Sequence, residues 1–579
     1  MKFFKIPELY CAILLVASVV LTVISQAKIE NVRLFRGSTS RVKTHPLAES
    51  MGQGEMFRVD FDLKSMWESY DLRIIPDDCA EQALVNDSII DLSKFRGRCD
   101  FGKGFVLHDS LIARYRNGSN THFSFVIKNN GGNAGINAAV VVKNPLARFI
   151  EFLAVGSFAL LCALIARRFR LGGKVILILF IGIALRAFIF AHLPYNSFAN
   201  DVDGHVAYVK YIIENHSIPG VDDCWTCYHP PVYYVSAIPS YMAATVVGVS
   251  ANSGLQAYSL LLSILTLFFG VFFFKNFLSG SVLKISLILW TFWPLMLLVA
   301  PRIGNDQMFY MLHLLCLWSG LNYLNKGNGK YLIVTVFSSA LALWTKSTGA
   351  VSIGMTFLFA VCGYVQNARF LRPTKSEYVA WFLFLIVVLL VVFQKLLGGS
   401  DLVGNSSGLH SALKVGNEAF NYIYFDLESF VTKPFTNAWT DEMGRQYFWN
   451  YMLKTSLFGE FDIGNFALLR NLAVFISVFF IGLLVCAIRG FWNKKLDVVH
   501  WLLIIQGAAF VAALMFLRIK HPYSCSNDFR YIAPAIVSVI PFMASGVVQK
   551  GASTKWKTLG ITCVLGFVLC SAILYILAV

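Results

Sequence analysis

From residue 148 onward the chain is a succession of apolar runs, each long enough to cross a bilayer, separated by short polar stretches. The runs at 148–166, 174–193, 256–275, 283–301, 306–324, 331–345, 347–366, 377–397, 468–488, 498–517, 530–548 and 556–577 read as spans. An earlier run, from Pro7 to Gln26, follows the basic start MKFFK. It is long for a signal peptide and has no small-x-small cleavage site, so residues 1–27 read as an uncleaved anchor. The expectation is a polytopic α-helical membrane protein with about thirteen transmembrane helices.

Residues 28–146 follow a different period. In "MFRVDFDL", "THFSFVIKN" and "INAAVVVKN" apolar and polar residues alternate, with β-branched and aromatic side chains at the apolar positions, which predicts strands. Asn117-Gly118 and the run NNGGN at 129–133 predict turns. This segment reads as a β-sandwich outside the membrane. It loosely resembles the jelly-roll modules that accompany sugar enzymes; the plainer alternative is a packing or spacer domain without a ligand.

Composition agrees with the pattern. Of 579 residues, 56% are hydrophobic and 14% charged, where a soluble protein would carry about a quarter charged. The net charge of +16 tests topology rather than suggesting nucleic acid. Basic clusters occur at 167–170, at Lys275 and Lys284, and at 325–330, 367–375, 489–495 and 549–557. All lie on one side if the moderately apolar stretch 231–249, which contains Pro239, is a juxtamembrane or half-inserted helix. The β-sandwich, the loop 194–255, the turn 302–306, residues 345–347, the loop 398–467 and residues 518–529 then share the outer face.

That face carries the candidate chemistry. The window 200–235, "NDVDGHVAYVKYIIENHSIPGVDDCWTCYHPPVYYV", holds five acidic residues, three His and a CxxC. A carboxylate such as Asp201 or Asp203, beside His205, can be a general base, a metal ligand or an ion-pair partner. Two prolines after His229 pre-set the next helix; Tyr233 and Tyr234 suit an interfacial aromatic belt. Arg302 and Asp306 are four apart, with Asn305 between them, and share one face if helical. Lys346 stands between two apolar runs and reads either as a phosphate ligand or as a snorkelling anchor. Glu460 lies in an apolar setting, and His521, Asp528, Arg530 and Tyr531 mark a further boundary, with Arg530 suited to phosphate. Cys224 with Cys227, and Cys79 with Cys99, lie in polar segments and read as disulfides if that face is oxidising.

Four motifs in order now carry a resemblance: Asp201-x-Asp203-x-His205, His-Pro-Pro-x-Tyr-Tyr at 229–234, Arg-x-x-Asn-Asp at 302–306 and Arg-Tyr-x-x-Pro at 530–534. The stretches WTKSTG (344–349) and FGEF (458–461) add to it. Over about residues 170–550 the chain resembles the GT-C superfamily of polyprenyl-phosphate-sugar-dependent glycosyltransferases, in the branch of protein O-mannosyltransferases and lipid A aminoarabinose transferases. Many relatives have adjacent Asp-Glu where this chain has D-x-D, which leaves the counterpart of the catalytic acid open between Asp201 and Asp203.

The resemblance implies a GT-C-like catalytic domain over 147–579, with the β-sandwich domain outside the common core. It implies an inverting glycosyltransferase that moves a monosaccharide from a polyprenyl-phosphate donor to a hydroxyl of a cell-envelope glycan, lipid or protein. Asp203 or Asp201 would be the base, and Asp306 would orient the acceptor or a metal. Lys346, Arg302 and Arg530 would neutralise the leaving phosphate, with His205, His229, Tyr233, Asn305, Glu460 and Tyr531 around the substrate. Some relatives bind a divalent metal near these carboxylates and others do not, so a metal, held by Asp201, Asp203 and Asp306 if present, stays open. A bacterial inner membrane with a periplasmic active site is the expected location. The competing readings are a lipid-linked glycan polymerase or ligase, and a transporter or flippase, which would place ionisable groups at mid-membrane depth.

Overall fold

The computed structural model describes residues 6–24, 27–37, 39–42, 47–50, 52–65, 67, 69–99, 104–116, 118, 120–130, 133–366, 374–398, 409–439, 444–464, 466–549 and 551–579. Part of the basic run at 367–375, the start of the long loop at 399–408, Asn117 and the glycines at 131–132 lie outside them. The chain forms two compact units, residues 1–170 with 191–200 and residues 171–190 with 201–579.

In the first unit the alternating segments are strands: β1 (Lys28–Arg36), β2 (Thr39–Val42), β3 (Leu47–Ser50), β4 (Met56–Lys64), β5 (Tyr70–Pro76), β6 (Cys79–Val85), β7 (Ser88–Ile90), β8 (Phe105–Leu107), β9 (Asn120–Lys128) and β10 (Asn133–Val142). They make a six-stranded sheet, β2-β1-β4-β9-β6-β7, and a four-stranded sheet, β3-β10-β5-β8. From β3 to β6, and again from β7 to β10, each strand lies in the sheet opposite its predecessor. β9 and β10, on either side of residues 131–132, therefore lie in opposite sheets. The period-two pattern buries Val59, Phe61 and Leu63 of β4 and Phe123, Phe125 and Ile127 of β9 in one core. Phe61 stacks on Phe123 and Phe125 at 5.6 and 5.9 Å. Cys79 and Cys99 are disulfide-bonded. In the same unit the helix Ile6–Ile24 is clamped to the helix Pro145–Arg168 by Arg168, which grips the Glu8 carboxylate at 3.0 and 2.5 Å.

Among the described residues, eight helices are long and apolar enough to cross a membrane, and four shorter apolar helices, 7–22, 232–247, 280–291 and 329–343, accompany them. Large apolar side chains such as Phe149, Leu177, Phe475 and Leu569 stand more than half exposed, as expected where lipid rather than water is the solvent. Two expected spans are not single helices. The run 283–301 breaks into Gly280–Thr291 and Pro294–Leu298. Pro294 disfavours the helical region for its predecessor, and Trp293 is extended (φ −60°, ψ 126°). The run 530–548 begins as a tight 3-10 segment over Phe529–Ala535 before the helix Ile536–Val547.

The first break exposes carbonyls that need donors. Arg186, 2% exposed, supplies one: its guanidinium donates to Thr291 O at 2.9 Å, and also to Gly182 O of its own helix at 3.1 Å. Gly182 is what lets the helices approach, since a Cβ there would land on Thr291 Cγ2. Gly182→Val should therefore destabilise the purified protein by about 1–3 kcal/mol, whereas Gly156→Val, facing open space, should be near neutral. Equal melting temperatures for the two variants would refute this account of the junction.

Candidate active site

The site lies within the second unit, where helix ends and breaks bring charged residues together. The helix Val202–Asn215 is headed by Asp201, whose left-handed backbone (φ 56°) suits an aspartate better than a branched residue. Asp201 Oδ1 accepts from Trp225 Nε1 at 2.8 Å, and its Oδ2 lies 3.7 Å from Arg530. Burial pushes the Asp201 carboxyl up, but Arg530, the Trp225 hydrogen bond, His205 and Arg302 more than offset it, so the net shift is downward and the group stays ionised. Asp203 is different. Both carboxylates reach solvent, but the Asp203 carboxyl is shifted upward by partial desolvation, with no charged group contributing. Asp201 therefore belongs to the charge cluster, and Asp203 does not.

Trp225 sits between Cys224 and Cys227, which are disulfide-bonded. The rings of the next residues, Tyr228 and His229, pack tilted at 4.2 Å, and the two prolines lead into the helix Val232–Val247. Tyr233 and Tyr234 are fully buried, which corrects the aromatic-belt expectation: their hydroxyls serve the site instead. Tyr234 Oη is 2.8 Å from His205 Nδ1, and Gly304 N donates to Tyr233 Oη at 3.1 Å. Gly304 (φ 154°) faces the other edge of His205; a Cβ there would lie 3.3 Å from Nε2. Burial depresses His205 to about 4 despite Asp201 and Asp306, so its imidazole is neutral. His229, stacked on His205 at 5.9 Å, is also held neutral by burial and by that neighbour.

The turn 301–305 is not helical, and the next helix starts at Asp306. The expected Arg302–Asp306 face is therefore absent. Asp306 instead forms an ion pair with Lys346, forty residues later. Lys346 is 5% exposed and lies 4.5 Å from the centre of the Tyr531 ring, so it is not a snorkelling anchor. Burial lowers the Lys346 ammonium and Asp306 pulls it back up. Asn305 Nδ2 fixes the adjoining turn by donating to Thr345 O at 3.1 Å.

Arg530 approaches Asp528 at 2.8 Å and the Tyr531 hydroxyl at 3.1 Å, and its carbonyl accepts from Tyr310 Oη at 2.5 Å. Tyr451 donates to Glu460 at 2.9 Å. Arg302 is 8% exposed and makes no ion pair among the described residues, and one terminal nitrogen has no hydrogen-bond partner. It lies over Phe461 at 5.7 Å and feels the charges of Arg530, Asp306 and Asp528. A buried guanidinium left with a free donor is costly, and an entering anion would satisfy it.

The carboxylates proposed for a metal do not form a ligand set. Asp201 is engaged by Arg530 and Trp225, Asp306 by Lys346, and Asp203 stands apart. Among the described residues no three His, Cys, Asp or Glu side chains gather closely enough to hold a metal ion. Trp225, Tyr451 and Tyr310 were not legible as site residues, because nothing local in sequence marks their partners.

Burial, reinforced by Asp528 and opposed by Arg530, the Tyr451 hydrogen bond and Arg302, pushes Glu460 up to about 8. The folded protein then keeps a proton that the unfolded chain releases near 4.5. Stability from this group is present at low pH and falls as pH rises from 4.5 to about 8. Glu460→Gln, which mimics the protonated form, should flatten that decline in thermal unfolding of the purified protein. An unchanged slope would mean that Glu460 is ionised in the fold.

No family model matches the chain, and no curated protein matches it. Among solved structures, it is similar to the crystal structure of the Archaeoglobus fulgidus oligosaccharyltransferase in its apo form, at 12% identity and a TM-score of 0.40. The match covers 70% of this chain and 56% of that one, so the chain spans little more than half the length of that enzyme.

Proposed function

We propose that this chain is a membrane glycosyltransferase of the GT-C kind that moves one sugar, with inversion, from a polyprenyl phosphate to a hydroxyl acceptor of the cell envelope. The observation that carries the reading is the charge cluster itself. It sets an ionised carboxylate, Asp201, beside two cations, Arg530 and Arg302, the second with an unused donor, and pairs Lys346 with Asp306 close by. Glycosyl transfer from a lipid phosphate needs that combination. The acceptor hydroxyl forms a bond to the anomeric carbon as the sugar–phosphate bond breaks. The hydroxyl proton passes to a carboxylate, and the bonding electrons leave on the phosphate oxygen. Apolar helices beside the cluster suit the polyprenyl tail.

In this scheme Asp201 is the base and Asp203 is not, because only Asp201 lies among the charges. Arg302, Lys346 and Arg530 receive the leaving phosphate, which is electrostatic stabilisation of developing charge. A phosphate that draws on Arg530 would weaken its 3.7 Å contact with Asp201 and make that carboxylate more basic, linking donor arrival to proton acceptance. Neutral His205 and His229 hold Tyr234 and the first outer loop in place. On this reading the active site lies on the periplasmic face of a bacterial inner membrane, and the basic clusters of the opposite loops support that sidedness.

Purified protein incubated with a panel of polyprenyl-phosphate sugars and envelope acceptors should release free polyprenyl phosphate from one donor. Asp201→Asn should lower kcat by about 10²–10⁴-fold, Asp203→Asn by far less, and Arg302→Ala should raise the donor KM. Release from no donor, or full activity in the Asp201 variant, would overturn the proposal.

A further inference from the structure

Trp225 has a combination of features that a membrane-interface tryptophan does not need. Its side chain is 45% exposed, yet its indole N–H is committed to Asp201 Oδ1 at 2.8 Å. A tryptophan in an interfacial belt turns its N–H to headgroups or water. Here the ring is held from both ends. Its backbone lies inside the loop closed by the Cys224–Cys227 disulfide, tightened by a Cys227 N–H bond to Cys224 O at 3.1 Å. The following residue, Thr226, is 1% exposed and packs on Gly204 of the helix that Asp201 heads; a Cβ at Gly204 would crowd the Thr226 methyl. An indole so fixed loses little rotamer freedom when something packs on its open face, so that contact goes largely into binding.

We propose that Trp225 is the stacking platform for the sugar ring of the lipid-phosphate donor. The inference rests on the glycosyl-transfer reading and names the group that recognises the carbohydrate. One face of a pyranose or furanose ring presents C–H groups, apolar and slightly positive, which complement the negative face of an indole. The placement fits. Asp201 links the indole to Arg530, one candidate for the phosphate, through contacts of 2.8 and 3.7 Å. A sugar bonded directly to a phosphate at Arg530 lies within one ring's reach of Trp225, with its anomeric carbon on the Asp201 side. Trp225 thus binds the sugar and not the lipid.

The test measures binding of two probes to the full-length protein in detergent: polyprenyl-phosphate monosaccharides, as a panel, and the same polyprenyl phosphate without sugar. Trp225→Leu, which keeps apolar bulk without a π face, should weaken the sugar-bearing lipid by about tenfold and change the bare lipid by less than about twofold. Trp225→Phe, which keeps a π face without the N–H, should hold most of the sugar-dependent affinity. Intact Cys224–Cys227 by thiol labelling verifies the fold of each variant; a Leu variant that loses it is replaced by Trp225→Met and a Phe variant by Trp225→Tyr, each under the criteria of the variant it replaces. Equal weakening of both lipids, weakening of neither, or a rise only in acceptor KM overturns the platform while leaving the glycosyl-transfer reading intact. Wild-type protein that binds no polyprenyl phosphate, with or without sugar, overturns both.

Discussion

The ion pair between Lys346 and Asp306 is the constraint on which the site depends. Both groups are largely removed from water, and neither could stay charged there alone, since removing one partner of a buried pair typically costs about 3–5 kcal/mol. The pair ties the start of the helix Asp306–Lys326 to a turn forty residues later. Asn305 repeats the link by bonding Thr345 O, and Tyr310, one turn into the same helix, reaches the carbonyl of Arg530. Three segments distant in sequence are thus fixed around a few charges. Arg530 extends the set to Asp528 and Asp201. With Glu460 protonated at neutral pH, three carboxylates, Asp201, Asp306 and Asp528, stand against three cations, Lys346, Arg530 and Arg302. Such a balanced set can be buried without large net charge, and it can still accept an anion by exchanging partners.

The ends and breaks of helices help bring these charges together, alongside helix side chains such as Tyr310 that reach across to them. The cluster is built from places where helical geometry lapses: the 301–305 turn, the extended backbone of Lys346, and the 3-10 segments around Asp528 and Arg530. Each lapse frees backbone groups that must be satisfied, and buried side chains do much of that work. Gly304 gives its N–H to Tyr233, and Phe529 N–H bonds Thr455 Oγ1 at 2.9 Å. At a membrane surface, irregular backbone of this kind is tolerated where protein surrounds it.

The sequence disclosed what depends on local period. Alternation in "MFRVDFDL" marked β4, and the apolar runs located most of the long helices, because burial on one face or in lipid leaves a pattern within a few residues of chain. The order of polar motifs also pointed to the residues that meet. It did not disclose who pairs with whom. Arg302 and Asp306 look like an i,i+4 pair, but the helix begins only at Asp306, so the spacing has no helical meaning. Tyr233 and Tyr234 carry the composition of an interfacial belt, and only the fold reveals that His205 and Gly304 need their hydroxyls. The break before Pro294 was masked by an unbroken apolar run, whose hydropathy says nothing about backbone continuity.

The D-x-D motif shows the same limit at its smallest scale. Only one of the two carboxylates is helical: Asp203 sits in the first turn, and Asp201 caps the helix in a left-handed conformation. Asp201 bonds Trp225 and lies near Arg530, whereas Asp203 feels no neighbouring charge. The motif reads as a pair only on paper. In space it divides into one carboxylate held ionised by neighbouring cations and one with no charged neighbour, so only the first takes part in the charge cluster.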